Sequence, residues 1–346
     1  MRACVVHAAG DLRVEEVPDR APGLGEVSVA VELAGICGSD LHYWRHGRVG
    51  DFRLREPLIL GHEVIGTVVD VGPGVTALAV GTSVAVHPAT PCGACAECRA
   101  ERANVCRHSR YLGSAAQTPH VQGGFSDRLI VPARQVRRLP PGLAARRAVL
   151  AEPLSVAVHA AARAGNLAGR RVLITGAGPI GCLVVAAVAA AGAEEVVVTD
   201  LLPEALAIAT EVGATATIPV DGTSASDRSD WPGDFDVAIE ASGAAAALHT
   251  CVGQVRRGGT VVLLGLLPPG EVPLLGNIVV TRELTLRGAF RFDHEFDTAL
   301  ALLADGLPVG PVVSATLPLA DAPSAFALAA DRSRACKVLL DLVADR

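Results

Sequence analysis

Up to about residue 145, short valine-, isoleucine- and leucine-rich runs such as 27–33 and 64–71 are interrupted by glycine and proline, as in Gly72-Pro73-Gly74. Apolar runs of strand length between turn-forming residues predict a β-rich, barrel-like domain with long loops. Near Leu143 the texture becomes alanine-rich, and from Arg171 onward short apolar runs alternate with amphipathic stretches of helical length. This is the pattern of βαβ units and predicts an α/β fold with a doubly wound parallel sheet. Strands are expected at 172–175, 196–199, 236–240, 260–264 and 284–287, and helices at 180–191, 203–212 and 244–255. A helix at 295–304 and a tail at 336–343 are expected to return to the first domain, and the polar stretch 221–230 reads as a surface loop. The division is therefore 1–150 completed by 291–346 for one domain and 151–290 for the other.

Composition narrows the function. Half of the 346 residues are hydrophobic, 19% are charged and the mean hydropathy is +0.40, values that favour two buried cores over disorder. The longest run of small and apolar residues, 180–193, is shorter than the roughly 18 residues that suggest a membrane span. Polar His7, Asp11, Glu15 and Glu16 follow the first apolar residues too soon for a secretory core, so a cytoplasmic protein is expected. The 30 basic and 36 acidic residues are interspersed, without the basic patch that nucleic acid requires. The single lysine, Lys337, rules out a phosphate loop ending in Gly-Lys-Ser/Thr and leaves little scope for Schiff-base chemistry.

The predicted strand 172–175 runs into Gly176-Ala177-Gly178-Pro179-Ile180-Gly181 and then into a helix. In that context the first glycine permits a tight turn, the second lets the backbone approach a pyrophosphate, and the third lets helix and strand pack closely. The next strand ends in Asp200, 24 positions after Gly176, where a carboxylate accepts hydrogen bonds from an adenosine ribose. A 2′-phosphate would meet that charge, and Leu201 and Leu202 supply no arginine, so NAD is expected over NADP.

Nine cysteines are present, and Cys92, Cys95, Cys98 and Cys106 fall within fifteen positions. Four thiolates close the tetrahedral shell of a structural zinc and order a loop that has no apolar core of its own. A more dispersed set comprises Cys37, the pair His62 and Glu63, and Glu152 in Ala151-Glu152-Pro153-Leu154. Mixed sulfur, imidazole and carboxylate donors suit a zinc that keeps water or substrate in its shell, although on the residues alone His62 reads more readily as a satisfied surface or core histidine than as a ligand. Ser39 likewise reads equally as a helix cap.

The segment Gly35-Ile36-Cys37-Gly38-Ser39-Asp40-Leu41-His42-Tyr43-Trp44, the Gly61-His62-Glu63 triplet, the four-cysteine loop, Glu152-Pro153-Leu154-Ser155, the glycine-rich turn and residues 287–292 together resemble the zinc-dependent medium-chain alcohol dehydrogenases, in their polyol branch, over essentially the whole chain. Residues 112–115, 119–121 and 123–125 are most similar to the L-idonate 5-dehydrogenase subgroup. The resemblance implies a GroES-like catalytic domain beside a Rossmann domain, two zincs per chain, and a homodimer or homotetramer acting on a small sugar acid or polyol. It implies Cys37, His62, Glu63 and Glu152 as catalytic-zinc ligands, with Glu152 where simple alcohol dehydrogenases use cysteine. Ser39 and His42 match the family's proton relay, and Asp40 is placed to orient a ligand. Tyr43 and Trp44 are candidates for a substrate wall, and Arg291 for holding a carboxylate or hydroxyl of the substrate. The alternatives are a sorbitol or xylitol type of polyol dehydrogenase and a nucleotide-binding regulatory protein on the same fold.

Overall fold

In the computed structural model, which describes residues 1–224 and 231–344, Val27, Val29 and Val31 are fully buried along the strand Glu26–Gly35. This period of two is what a strand needs to present one side-chain face to a core. The strand is central to a mostly antiparallel seven-stranded sheet in the order Val136–Arg138, Ser83–Val86, Glu63–Val71, Glu26–Gly35, Lys337–Asp341, Val313–Pro318, with Arg128–Pro132 also paired to Glu26–Gly35. Behind it lies a core that includes Leu58, Leu60, Phe125 and Phe326, the last two edge to face at 6.0 Å.

Register gathers three strand ends at one place. Gly35, the last residue of its strand, is opposite Glu63, the first of the next, and also opposite Leu339 near the start of the strand Lys337–Asp341. Antiparallel neighbours must place one strand's C-terminal end beside the others' N-terminal ends. Residues 35–37, 61–63 and 337, far apart in the chain, therefore meet.

This first unit comprises Met1–Glu152, Ala299–Asp305 and Val313–Arg346; the second comprises Pro153–Thr298 and Gly306–Val312. The reading from sequence returned the chain at 291, whereas residues 291–298 pack with the second unit. Glu295 in this segment accepts a hydrogen bond at 2.7 Å from His159 of the helix Ala151–Ala164.

The second unit carries six parallel strands in the order Ala216–Pro219, Glu195–Asp200, Arg171–Thr175, Phe235–Glu240, Val255–Leu263, Thr285–Gly288. This is the Rossmann order, with its reversal beside the central strand Arg171–Thr175. Val172, Leu173 and Ile174 have no exposed surface because helices cover both faces. Two elements escaped the sequence reading. The edge strand Ala216–Pro219 is half-exposed, and the helix Gly276–Thr281 is only six residues long and buries none of them fully, so each is too short and too exposed to show a clear period. The apolar run 180–193 forms the buried helix Pro179–Ala190, and among the described residues no helix is long and apolar enough to cross a membrane.

Candidate active site

Cys37 is the N-cap of the helix Gly38–His46, so it is Cys37, not Ser39, that caps this helix. Its backbone N–H donates to Asp40 Oδ2 at 2.9 Å, and the Gly61 N–H donates to Oδ1 of the same carboxylate at 3.2 Å. One buried side chain thus binds together the two segments that deliver Cys37 and His62. Asp40 Oδ1 also lies 3.8 Å from His62 Nδ1, an ion-pair separation too long for a hydrogen bond.

The donor atoms of Cys37, His62 and Glu63 lie within 4.8 Å of one another. Glu152, in the first turn of the helix Ala151–Ala164, falls outside that group and accepts a 2.5 Å hydrogen bond from the Tyr111 hydroxyl. The Tyr111 ring meets the His62 ring edge-on at 5.6 Å. Glu63 is fully buried, and both its oxygens accept from Lys337 Nζ, at 2.6 and 2.8 Å.

Electrostatics tests whether a metal fits here. Burial raises Asp40, against the pull of His62 and the Cys37 N–H, and burial likewise raises Glu152, against His62 and Tyr111. Burial works to lower His62, yet Asp40 and Cys37 outweigh it and hold the imidazole well above its ordinary value. Asp40, Glu63, Glu152 and the Cys37 thiol thus face two basic groups, the Lys337 ammonium and the His62 imidazole. A divalent cation that displaces the His62 proton would redress that excess of acidic groups, and the donors are those zinc prefers.

The cysteine loop passes a geometric test. Neighbouring sulfurs lie 3.5 Å (Cys95 to Cys98), 3.6 Å (Cys106 to Cys92), 3.7 Å (Cys95 to Cys106) and 4.0 Å (Cys92 to Cys98) apart. With zinc–sulfur bonds of about 2.3 Å, a regular tetrahedron has edges of about 3.8 Å. The cluster fits a structural zinc. Backbone N–H groups of Ala94 and Cys95 lower the Cys92 thiol to about 6, favouring the thiolate that binds metal.

In the second unit, Gly176 sits at φ +93°, a conformation that favours glycine, and a Cβ on Gly181 would lie 1.8 Å from the Gly176 carbonyl oxygen. Gly178 caps the helix Pro179–Ala190 without a side-chain acceptor and Pro179 begins it, leaving first-turn N–H groups for an anion. Ile180 follows in that turn. Asp200 is buried and accepts from the Ala177 N–H at 2.7 Å and the Leu202 N–H at 3.0 Å, so it holds the glycine turn itself.

Ser39 is partly buried and His42 exposed on the helix Gly38–His46. Partial burial, then His46 and Arg45, hold the His42 imidazole below its ordinary value. Tyr43 is buried in the core with its hydroxyl accepting from the Ala115 N–H at 3.0 Å, and Trp44 packs edge-on against Phe326. Core packing therefore accounts for both rings. Arg291 has φ +54° and sets its guanidinium 4.9 Å from the centre of the Phe290 ring. The sequence reading missed Lys337 and Tyr111 as members of the site, although one lysine among 30 basic residues was a visible signal.

Two family models match the chain: "Alcohol dehydrogenase GroES-like domain" over residues 23–141 and "Zinc-binding dehydrogenase" over residues 179–305. The L-idonate 5-dehydrogenase (NAD(P)(+)) of Escherichia coli K12 is 40% identical over 318 residues, 90% of each chain. The crystal structure of L-idonate 5-dehydrogenase from that organism superposes with a TM-score of 0.91 at 37% identity, covering 99% of this chain and 98% of the other. Sorbitol dehydrogenase of Gallus gallus is 38% identical over 334 residues, 94% of this chain and 92% of its own.

Proposed function

The chain belongs to the zinc-dependent medium-chain alcohol dehydrogenases, in the polyol branch, and we propose that it oxidises a secondary hydroxyl of a sugar acid with NAD, converting L-idonate to 5-dehydro-D-gluconate. One observation carries the choice of substrate. Residues 123–125, part of the stretch read above as resembling the L-idonate subgroup, wrap the turn that delivers His62: the N–H groups of Gly123, Gly124 and Phe125 donate to the carbonyls of Ile59, Gly61 and Leu60. A segment so placed is positioned to shape what reaches the metal.

In this reading Cys37, His62 and Glu63 hold a catalytic zinc, Glu152 faces it with Tyr111 fixing one of its oxygens, and a second zinc occupies the cysteine loop. Zinc held by these residues would supply Lewis-acid stabilisation of the charge that develops on the substrate oxygen, and NAD would supply the hydride acceptor. Asp40 keeps the Cys37 and His62 segments in register. Ser39 accepts the hydroxyl proton and passes it to His42, whose lowered affinity for protons keeps it neutral and receptive near neutral pH. The turn Gly176 to Gly181 receives the pyrophosphate, and Asp200 disfavours a 2′-phosphate. Arg291 is the candidate anchor for the substrate carboxylate, and the chain works as a homodimer or homotetramer.

The near-equal identity to a sorbitol dehydrogenase favours, as the second reading, a polyol substrate without a carboxylate. Steady-state rates on L-idonate, sorbitol, xylitol and L-threonine, each with NAD and NADP, decide between them. Turnover of polyols without turnover of L-idonate overturns the first reading.

A further inference from the structure

Lys337 is the only lysine in the chain and is 2% exposed. Every other basic residue is an arginine, and this one ammonium stands inside the cluster of acidic groups. Its Nζ donates to both Glu63 oxygens and, at 3.1 Å, to the Ile36 carbonyl oxygen next to Cys37. Gly35 makes room for this arrangement: a Cβ there would lie 1.9 Å from Glu63 Oε2.

A carboxylate that chelates a metal with both oxygens presents the edge between them. In this structure the ammonium occupies that edge. We propose that Lys337 is a positioning residue that stops Glu63 from closing on the divalent ion with both oxygens and, through its charge, loosens the site's hold on that ion, so that a coordination position stays free for substrate. The inference rests on the zinc reading above and assigns to Lys337 a role opposite to that of a residue that merely stabilises the fold. Removing a positive charge next to a bound cation strengthens binding of that cation. Removing a structural support weakens it.

The test compares wild type, Lys337→Met and Lys337→Arg, each also in a Glu63→Gln background. Zinc release to a chelator and the visible spectrum of cobalt-substituted protein are recorded. In Lys337→Met, release from the catalytic site is expected to slow by about tenfold or more, on the scale of other partners of metal ligands. The cobalt bands should weaken as the coordination number rises. Lys337→Arg, which keeps the charge, releases zinc at the wild-type rate, and in the Glu63→Gln background Lys337→Met slows release by less, because only the effect of the charge remains. Should Lys337→Met fail to fold, Lys337→Gln carries the same expectation, since it keeps a donor for Ile36 and removes the charge. Wild type with two zincs and a Lys337→Met protein that releases zinc as fast or faster overturns this inference alone. Wild type with zinc only in the cysteine loop overturns the zinc reading and this inference with it.

Discussion

Tyr111 donates its phenolic hydrogen to Oε1 of Glu152 across 2.5 Å, and both side chains are buried. The bond favours the ionised carboxylate against the burial that disfavours it. Replacing Tyr111 by Phe removes the donor and raises the Glu152 pKa further, so the carboxylate form is lost at a higher pH. The acidic limb of the kcat/KM profile should move upward, with kcat down by about tenfold. An unchanged profile would show that the phenol has no hold on the carboxylate that matters to turnover.

Asp40 accepts one backbone N–H from each of two ligand-bearing segments. In Asp40→Asn one acceptor becomes an NH2 group facing an N–H donor, and a buried charge next to His62 is lost. On the proposed two-zinc reading, metal analysis should find the zinc content of the variant falling toward one per chain, and thermal melting should show a loss of about 2–4 kcal/mol.

Cys98 stands 3.5 Å from the Cys95 sulfur, at a corner of the cluster. Cys98→Ser opens one corner, and the short helix Ala96–Arg99 buries no residue that could hold the loop without metal. Chelation of wild type and the Cys98→Ser variant are expected to give the same result: trypsin cleaves after Arg99 or Arg102, while the Rossmann unit stays protected.

Asp200, proposed above to disfavour a 2′-phosphate, also holds the Ala177 N–H. Asp200→Ala removes the repulsion toward a 2′-phosphate and also loosens the turn that both cofactors need. Efficiency with NAD should fall by about 10–100-fold, and NADP should gain without reaching the wild-type NAD value. An NADP efficiency equal to that value would exclude the role in holding the turn.

Burial pushes the Glu295 carboxyl up, but hydrogen bonds from His159 and the Asp293 N–H outweigh it and hold the group at about 2 instead of its ordinary 4.5. A depressed carboxylate pKa contributes stability above pH 4.5 that is lost as pH falls toward 2. Against Glu295→Gln, wild type should be more stable by about 1–2 kcal/mol near neutral pH. The gap should close across that acidic window in urea titrations.

Patterns whose period is short were legible along the chain. The parallel strands announced themselves because burial on both faces leaves nearly unbroken apolar runs, as in Val172-Leu173-Ile174. The glycine turn and the four cysteines were legible because their ligands are held by a few consecutive residues, so spacing alone carries the geometry. The edge strand Ala216–Pro219 was not, since a half-exposed strand has no need of an apolar pattern.

The sequence by itself determined the two architectures, the nucleotide turn, the cysteine cluster and the residue types able to hold a second metal. Only the tertiary structure decided that Lys337 lies on Glu63 and Tyr111 on Glu152. It also decided that Asp40 joins the segments of Cys37 and His62, and that Tyr43 belongs to the core. The physical reason is that these partners are brought together by antiparallel register and by packing between distant segments. Such contacts depend on how three strand ends align in space, and no periodicity within a single strand encodes that alignment.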